Sequence, residues 1–422
     1  MPSYSVSRFR QLIAFPLFFL LSVRSRRKLK LAILSVASFS LFCLVFFFVP
    51  GLSSEHVLLT EDNTPPLVKR IVEDPSVFED PVPIDIDCPG PEVYHSLQHD
   101  VTFDVLIPWV NDSDPNWIAK KALFSDDPHG GKAFRFSDHG ELRYCIRSME
   151  KYLRGFRHIY LLTDDQVPSW LDTSDPRIKI VTHKQIVPRH LHDEILPFFN
   201  SQAFEAFFWN IPGISDNFLY MNDDLFFGDT TDLSYFLDAG KVVVYHEPHL
   251  IMQNKAVKRP YIIMMRKLID VLFTSWGAEP LQGFKFHSHT PKIINKKLFK
   301  YIYDKFEDKF MIAARTRFRG PPIMDPMNTF LFSISILSNL ETCHDVALPR
   351  RGFITYTSLN NSLKKTEYQL NLIRSLKPPF YNINDDLDET KDPNNEIIPK
   401  AVEMYINLMN ELYPEPSEFE LF

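Results

Sequence analysis

From about Phe103 onward the chain alternates short apolar bursts with stretches of helical periodicity. The bursts are FDVLIPWV, HIYLLTD, KIVTH, NFLYMND and KVVVYH, each short enough for a buried strand and each followed by turn residues. Between the first two, Leu142, Cys145, Ile146, Met149 and Leu153 recur at helical spacing, which predicts a helix over Glu141 to Leu153. Asp138, with Glu141 three residues on, resembles a capping box at its start. Further helices are expected around Arg259 to Thr274, Ile294 to Phe306, Asn328 to Leu337 and Ile397 to Tyr413. Strands alternating with helices predict an α/β domain with a Rossmann-like, largely parallel sheet and a helix-rich C-terminal half.

The pattern before Phe103 is different. Arg24, Arg26, Arg27, Lys28 and Lys30 precede an uncharged run from Leu31 to Val49, long enough at about 1.5 Å per residue to nearly cross a bilayer core. This predicts a transmembrane signal anchor over 31–50 behind a cytosolic tail, 1–30. The earlier run Leu12 to Val23 contains Pro16 and is too short to span comfortably. A cleaved signal peptide is the competing reading, and the late position, the length and the ending Phe46-Phe47-Phe48-Val49-Pro50 weigh against it. With the basic residues ahead of the span, the positive-inside rule places the bulk of the chain in the lumen, as a single-pass type II protein. Residues 51–100 are rich in Pro, Glu and Asp and read as a stem, leaving 101–422 as the folded luminal domain.

Composition adds three points. With 422 residues, 45% of them hydrophobic, the chain can bury a substantial core. Residues 1–54 hold seven Lys or Arg and no acid, so the remainder has 39 basic against 53 acidic side chains, a formal charge of −14, which argues against nucleic acid as a partner. Cys43 falls in the span; Cys88, Cys145 and Cys343 leave any disulfide pairing open, with Cys145 on a helix face as core. Asn111-Asp112-Ser113 and Asn360-Asn361-Ser362 are glycosylation sequons, the second the better placed.

Ligands in open α/β sheets sit beyond the carboxyl ends of the strands, and the residues there are acidic: Asn111-Asp112-Ser113-Asp114, Asp164-Asp165 and Asn222-Asp223-Asp224. Oxygen-only clusters suit Mg²⁺ or Mn²⁺ held together with substrate phosphates. Asp and Asn are also ordinary turn residues, so each cluster alone says little. A second polar set lies downstream: His287 and His289; Arg315, Arg317 and Arg319; and Asn384, Asp385, Asp386 and Asp388.

With these residues the chain resembles the Stealth family of sugar-1-phosphate transferases, which includes the animal N-acetylglucosamine-1-phosphotransferase, bacterial capsule polymerases and a fungal xylosylphosphotransferase. FDVLIPWVNDSDPNW is similar to the family's first block. FRFSDHGELRYCIRSMEKYLRGFRHIYLLTDDQVPSWLD, running on to FLYMNDDLFFG, is similar to the second. HSHTPKIINKKLF with ARTRFRGPP resembles the third, and YNINDDLD the fourth. The resemblance implies that Asp224 and Asp385 hold a divalent cation, Mg²⁺ or Mn²⁺, on the donor diphosphate. It implies that His289 is the catalytic base, that Arg319 stabilises phosphate charge and that Asp223 belongs with them. Trp109, Asn111, Asp114, Arg143 and Asn222 would line or brace the donor pocket. The implied reaction moves a sugar-1-phosphate from a nucleotide sugar, a UDP-sugar first of all, to a glycan hydroxyl such as that of a mannose. A metal-dependent type II glycosyltransferase and an inactive glycan-binding homologue are the alternatives. Two departures stand out: Pro108 replaces the usual Thr before the Trp, and Asp325 lies further from Arg319 than the family pattern has it, so no role is placed on Asp325. His287 is separated from His289 only by the His-x-Pro pattern.

Overall fold

A computed structural model describes residues 102–124, 136–238, 241–253, 259–279, 282–318, 325–338, 347–351 and 357–421. The expected anchor and stem, Cys43, Cys88, Cys343 and Arg319 lie outside the described residues. No described helix is long and apolar enough to cross a membrane.

The fold is mixed α/β around a five-stranded sheet. Strands β1 (Phe103–Pro108), β2 (Phe156–Thr163), β3 (Ile178–Thr182) and β4 (Asn217–Tyr220) run parallel in the order β3-β2-β1-β4, and β9 (Lys292–Asn295) closes the β4 edge antiparallel. These are the expected bursts, and nearly every side chain of β1 and β4 is buried, as strands covered on both faces require. Pro108 donates no hydrogen bond, and the ladder is continued by Trp109, whose N–H donates to Leu162 O at 2.9 Å. Because β1 has parallel neighbours on both sides, reached by connections in opposite senses, a crevice opens beyond its carboxyl end.

Helix α1 (Pro115–Ala122) follows β1, capped by Asp114, whose carboxylate accepts from Asn116 N at 2.8 Å. Helix α2 (Glu141–Tyr152) fills the crossover to β2 with the predicted buried face. Its cap differs from the expected box: Gly140, at φ 89°, is the N-cap residue. Asp138 instead accepts from Gly140 N at 2.8 Å and Glu141 from His139 N at 2.5 Å, a tighter turn that points His139 away from the helix start. Cys145 is a buried free thiol, as expected.

KVVVYH does not join this sheet. Strand β7 (Lys241–Met252) pairs antiparallel with β6 (Leu237–Asp238) and β8 (Gly283–His287) and parallel with β10 (Ala347–Arg351), forming a second sheet. Apolarity marks a strand but not its partner. A short β5 (Leu225–Phe227) pairs antiparallel with β12 (Phe380–Asn382), and β11 (Ser358–Leu359) pairs parallel with β13 (Asn384–Asp385). Helices α3 (Pro260–Ser275), α4 (Lys296–Lys305), α6 (Pro326–Leu337) and α8 (Ile397–Leu412) match the expected ones to within a turn. Two more, α5 (Glu307–Ala314) and α7 (Leu363–Leu376), were, like α1, not anticipated. The buried apolar side chains form one cluster reaching from Phe103 to Phe419.

Candidate active site

Strand β4 ends at Tyr220, and the chain turns over Asn222-Asp223-Asp224, where Leu225 N donates to Asn222 O at 3.2 Å, before entering β5. β5 is pinned from three sides. Phe227 N donates to Ser148 Oγ of α2 at 3.1 Å, Tyr413 Oη donates to Phe227 O at 2.8 Å, and β12 supplies the ladder. That ladder continues past its last pair: Ile383 N donates to Asp224 O at 3.0 Å, two residues before Asp385. The second and fourth blocks, some 160 residues apart in sequence, therefore meet at Asp224 and Asp385.

Each of these carboxylates faces a histidine. His289 Nε2 lies 3.0 and 3.2 Å from the two oxygens of Asp224, and His139 Nε2 lies 3.1 Å from Asp385 Oδ2. The second Asp385 oxygen accepts from Leu387 N at 2.8 Å. All four side chains are between 12% and 32% exposed, enclosed yet reachable. Asp223 adjoins Asp224 in the same turn. Burial, then the negative charges of Asp224 and Asp138, push its carboxyl well above the ordinary range, and burial with Asp223 does the same to Glu141. Asp112 is raised by burial while His139 draws it back, which places it beside the same group. Among the described residues no three His, Cys, Asp or Glu side chains converge as a ready-made metal cage.

The structure separates His287 from His289. His287 Nδ1 is 3.0 Å from Asn328 Oδ1 and its ring packs 4.2 Å from Phe332, with burial pulling it down to about 4; it serves the second sheet. Asp325 caps α6 through Asn328 N at 2.9 Å and accepts from Gln202 at 3.1 Å, a structural use consistent with giving it no chemical role. Asp164 is held by Lys120 at 3.1 Å, with Asp165 beside it. Arg315 pairs with Glu194 at 2.5 Å, and Arg317 donates to Leu196 O at 3.0 Å.

Next to the carboxylates, beyond the ends of β1 and β2, is a cavity of about 390 Å³ whose lining includes Trp109, Asn111, Asp114, Asp138, Gln166 and Trp170. Trp109 Nε1 donates to Asp138 at 3.2 Å, tying this wall to the turn that carries His139. Gln166 clamps Asn111 by both backbone groups, at 3.0 and 2.8 Å, and donates to Asp114 at 3.1 Å. Arg143 is not among the lining residues; its guanidinium stacks 4.9 Å over the Trp170 ring, so it braces the wall. Of the expected residues, the structure thus gathers Asp223, Asp224, Asp385 and His289 at one ledge, with Asn222 in its turn. Trp109, Asn111 and Asp114 line the adjoining cavity. His139, Gln166 and Trp170 were missed. The rule of inspecting strand ends, carried two residues past Asp164, would have reached Gln166.

Two family models match the chain: Stealth protein CR2, conserved region 2, over residues 135–244, and Stealth protein CR3, conserved region 3, over residues 288–338. A capsular polysaccharide phosphotransferase of Haemophilus influenzae is 30% identical over 320 residues, covering 73% of this chain and 84% of that protein. The chain belongs to the Stealth family. Other Stealth relatives include a capsular polysaccharide phosphotransferase of Aeromonas hydrophila, 26% identical over 364 residues, which are 78% of this chain and 96% of that one. An exopolysaccharide phosphotransferase of Streptomyces coelicolor is 35% identical over 223 residues, and there the match spans 51% of this chain but only 36% of the relative's length. The matched regions contain Asp223, Asp224, Arg143 and His289, and Asp385 lies beyond both.

Proposed function

We propose that this Stealth chain is a phosphotransferase that moves sugar-1-phosphate from a nucleotide sugar, a UDP-sugar foremost, to a glycan hydroxyl such as that of mannose, forming a phosphodiester. The observation that carries the reading is the backbone bond from Ile383 to Asp224, which brings the His289-paired Asp224 to the segment of Asp385, with a cavity beyond β1 tied through Trp109 and Asp138 to the turn whose His139 faces Asp385. In this reaction the acceptor oxygen attacks the β-phosphorus, the bond to the nucleoside monophosphate breaks, and the sugar keeps its C1–O bond. His289 takes the acceptor proton: an Nε2–H donated to Asp224 leaves Nδ1 as the basic nitrogen. Arg319 is assigned the phosphoryl oxygens, Asp223 the backing of the ledge, and Trp109, Asn111, Asp114 and Asn222 the donor, with Arg143 behind the wall.

Mg²⁺ or Mn²⁺ on Asp224 and Asp385 would supply Lewis-acid stabilisation of the diphosphate. The donor set fits such a hard cation: both ligands are carboxylates, and burial, followed by the charges of Asp224 and Asp138, raises the adjoining Asp223 carboxyl. The same reading places the domain in the lumen of the Golgi or endoplasmic reticulum, anchored by residues 31–50.

The test is to incubate the full chain in detergent with UDP- and GDP-sugars, a simple mannoside and Mg²⁺ or Mn²⁺, and to weigh the products. UMP or GMP with an acceptor heavier by sugar plus phosphate supports the reading. UDP or GDP with a sugar-only gain overturns it in favour of glycosyl transfer, and a folded protein that consumes no donor points to a glycan-binding homologue.

A further inference from the structure

The C-terminal strap, residues 417–421, pairs with the segment that carries Trp170, one of the cavity's lining residues. Leu421 N donates to Trp170 O at 2.7 Å, Asp172 N donates to Phe419 O at 2.8 Å, and Leu171 and Glu420 form an antiparallel bridge. The segment carrying Trp170 is thereby stitched to the strap by backbone bonds on both sides of the indole. Glu420 adds a second hold. Its carboxylate, 8% exposed, takes Arg147 Nε at 2.5 Å and Nη2 at 2.9 Å, accepts from Ser417 N at 3.0 Å, and lies 3.5 Å from Arg143 Nε. That Arg143 Nε is buried without a hydrogen-bond partner, so the ion pair with Glu420 is what fixes the guanidinium where it stacks on Trp170. Trp170 in turn lines the cavity opposite no charged side chain of its own segment, among Val167, Pro168 and Ser169.

We infer that Glu420 is a positioning residue for donor binding: through Arg143 and the strap it holds the Trp170 ring as a flat wall against which the planar base of the nucleotide rests. This rests on the nucleotide-sugar reading of the cavity. A rigid indole backed by a guanidinium is a stacking platform for a base, since any base offers a π-face and the ring is already ordered before binding. The inferred contact is with the base and not with the transferred phosphoryl group, so loss of the strap weakens donor binding and leaves the chemical step alone.

Binding of UDP with Mn²⁺ to the full chain, measured by calorimetry, tests it together with donor KM and kcat. Trp170→Ala and Glu420→Ala are each expected to weaken UDP binding about tenfold, the scale of one lost base stack, with kcat within about twofold. The double variant is expected to bind no more weakly than Trp170→Ala alone, because Glu420 acts through the indole. Losses that multiply in the double variant, or a Glu420→Ala protein that binds UDP normally, overturn the inference. Arg143→Met serves if Glu420→Ala does not fold, since it cuts the same link and leaves the Glu420–Arg147 pair in place. A second readout is independent of the ligand: acrylamide quenching of Trp170 fluorescence, taken as the difference from Trp170→Phe, is expected to rise in Glu420→Ala. Wild type that binds neither UDP nor GDP while this quenching rises defeats the donor reading but keeps the strap's hold on Trp170; unchanged quenching defeats the strap.

Discussion

Asp224 faces the His289 imidazole at 3.0 Å, and on the proposed reading it would also hold a cation, for which a carboxylate has lone pairs to spare. Its replacement by Asn keeps size but removes the charge that orients the ring. Asp224→Asn and His289→Ala are expected to lower kcat by about 10²–10⁴-fold, the usual range for a lost general base, with little change in melting temperature because His289 is 32% exposed and carries no core packing. Activity of either variant within a few-fold of wild type, measured by nucleoside monophosphate release, would remove His289 from its proposed role. Lys292, three residues on, gives a prediction of a different kind. Its ammonium donates to Thr290 O at 2.6 Å, and burial holds it down to about 8 although Glu205, Asp325 and Asp224 pull the other way. An unfolded lysine keeps its proton to about pH 10.4. Between about pH 8 and 10.4 the unfolded chain thus binds more protons than the folded one, and the Lys292 contribution makes stability rise with pH across that window. Urea melts at pH 8 and pH 10 should show this rise in wild type and a smaller one in Lys292→Met.

The β5–β12 pair is the element that makes the site, because it sets Asp224 against the segment leading to Asp385. At its edge Gly228 N donates to Pro379 O at 3.1 Å, and a Cβ on Gly228 would stand 2.5 Å from Pro378 O. Backbone cannot give way as a flexible side chain would, so Gly228→Ala is expected to cost about 1–3 kcal/mol and to lower activity beyond its effect on folding, by shifting Asp385 from Asp224. Denaturant melts with activity assays on the remaining folded protein check this; a stable variant with normal activity would show that the ladder does not set the spacing. This element was also the least legible part of the sequence. Four strands of the main sheet announced themselves because fully buried parallel strands are continuous apolar runs, and α2 did so through its periodic face. LFF and FYN are too short to stand out, and KVVVYH looked like one more strand of the same sheet because pairing is a long-range choice that apolarity does not encode. Similarly, strand ends led to Asn111 and Asp224, whereas His139, Trp170 and Glu420 owe their places to contacts with residues far away in the chain. Helix α7, with Lys, Glu and Gln over most of its surface, buries only Thr366, Leu370 and Ile373, too thin a stripe to read.

At the scale of the molecule, charge and hydrophobicity are divided along the chain. The seven basic residues of 1–54 flank or precede the apolar run 31–50, and the remainder carries a formal charge of −14. The described apolar core is one continuous cluster between Phe103 and Phe419, so the domain has what it needs to fold without help from residues 1–54. Basic residues near a span stay on the cytosolic side, which sets the orientation of everything after it. In sealed secretory membranes bearing the full chain with an N-terminal epitope, protease added outside is therefore expected to remove the epitope and leave the domain from 101 onward intact, and detergent is expected to expose that domain to digestion. Sodium carbonate should fail to extract the intact chain. An epitope protected while the domain is digested would reverse the orientation and with it the luminal assignment; extraction by carbonate would mean that residues 31–50 do not cross the bilayer, and the phosphotransfer reading would then have to find its acceptor glycan elsewhere.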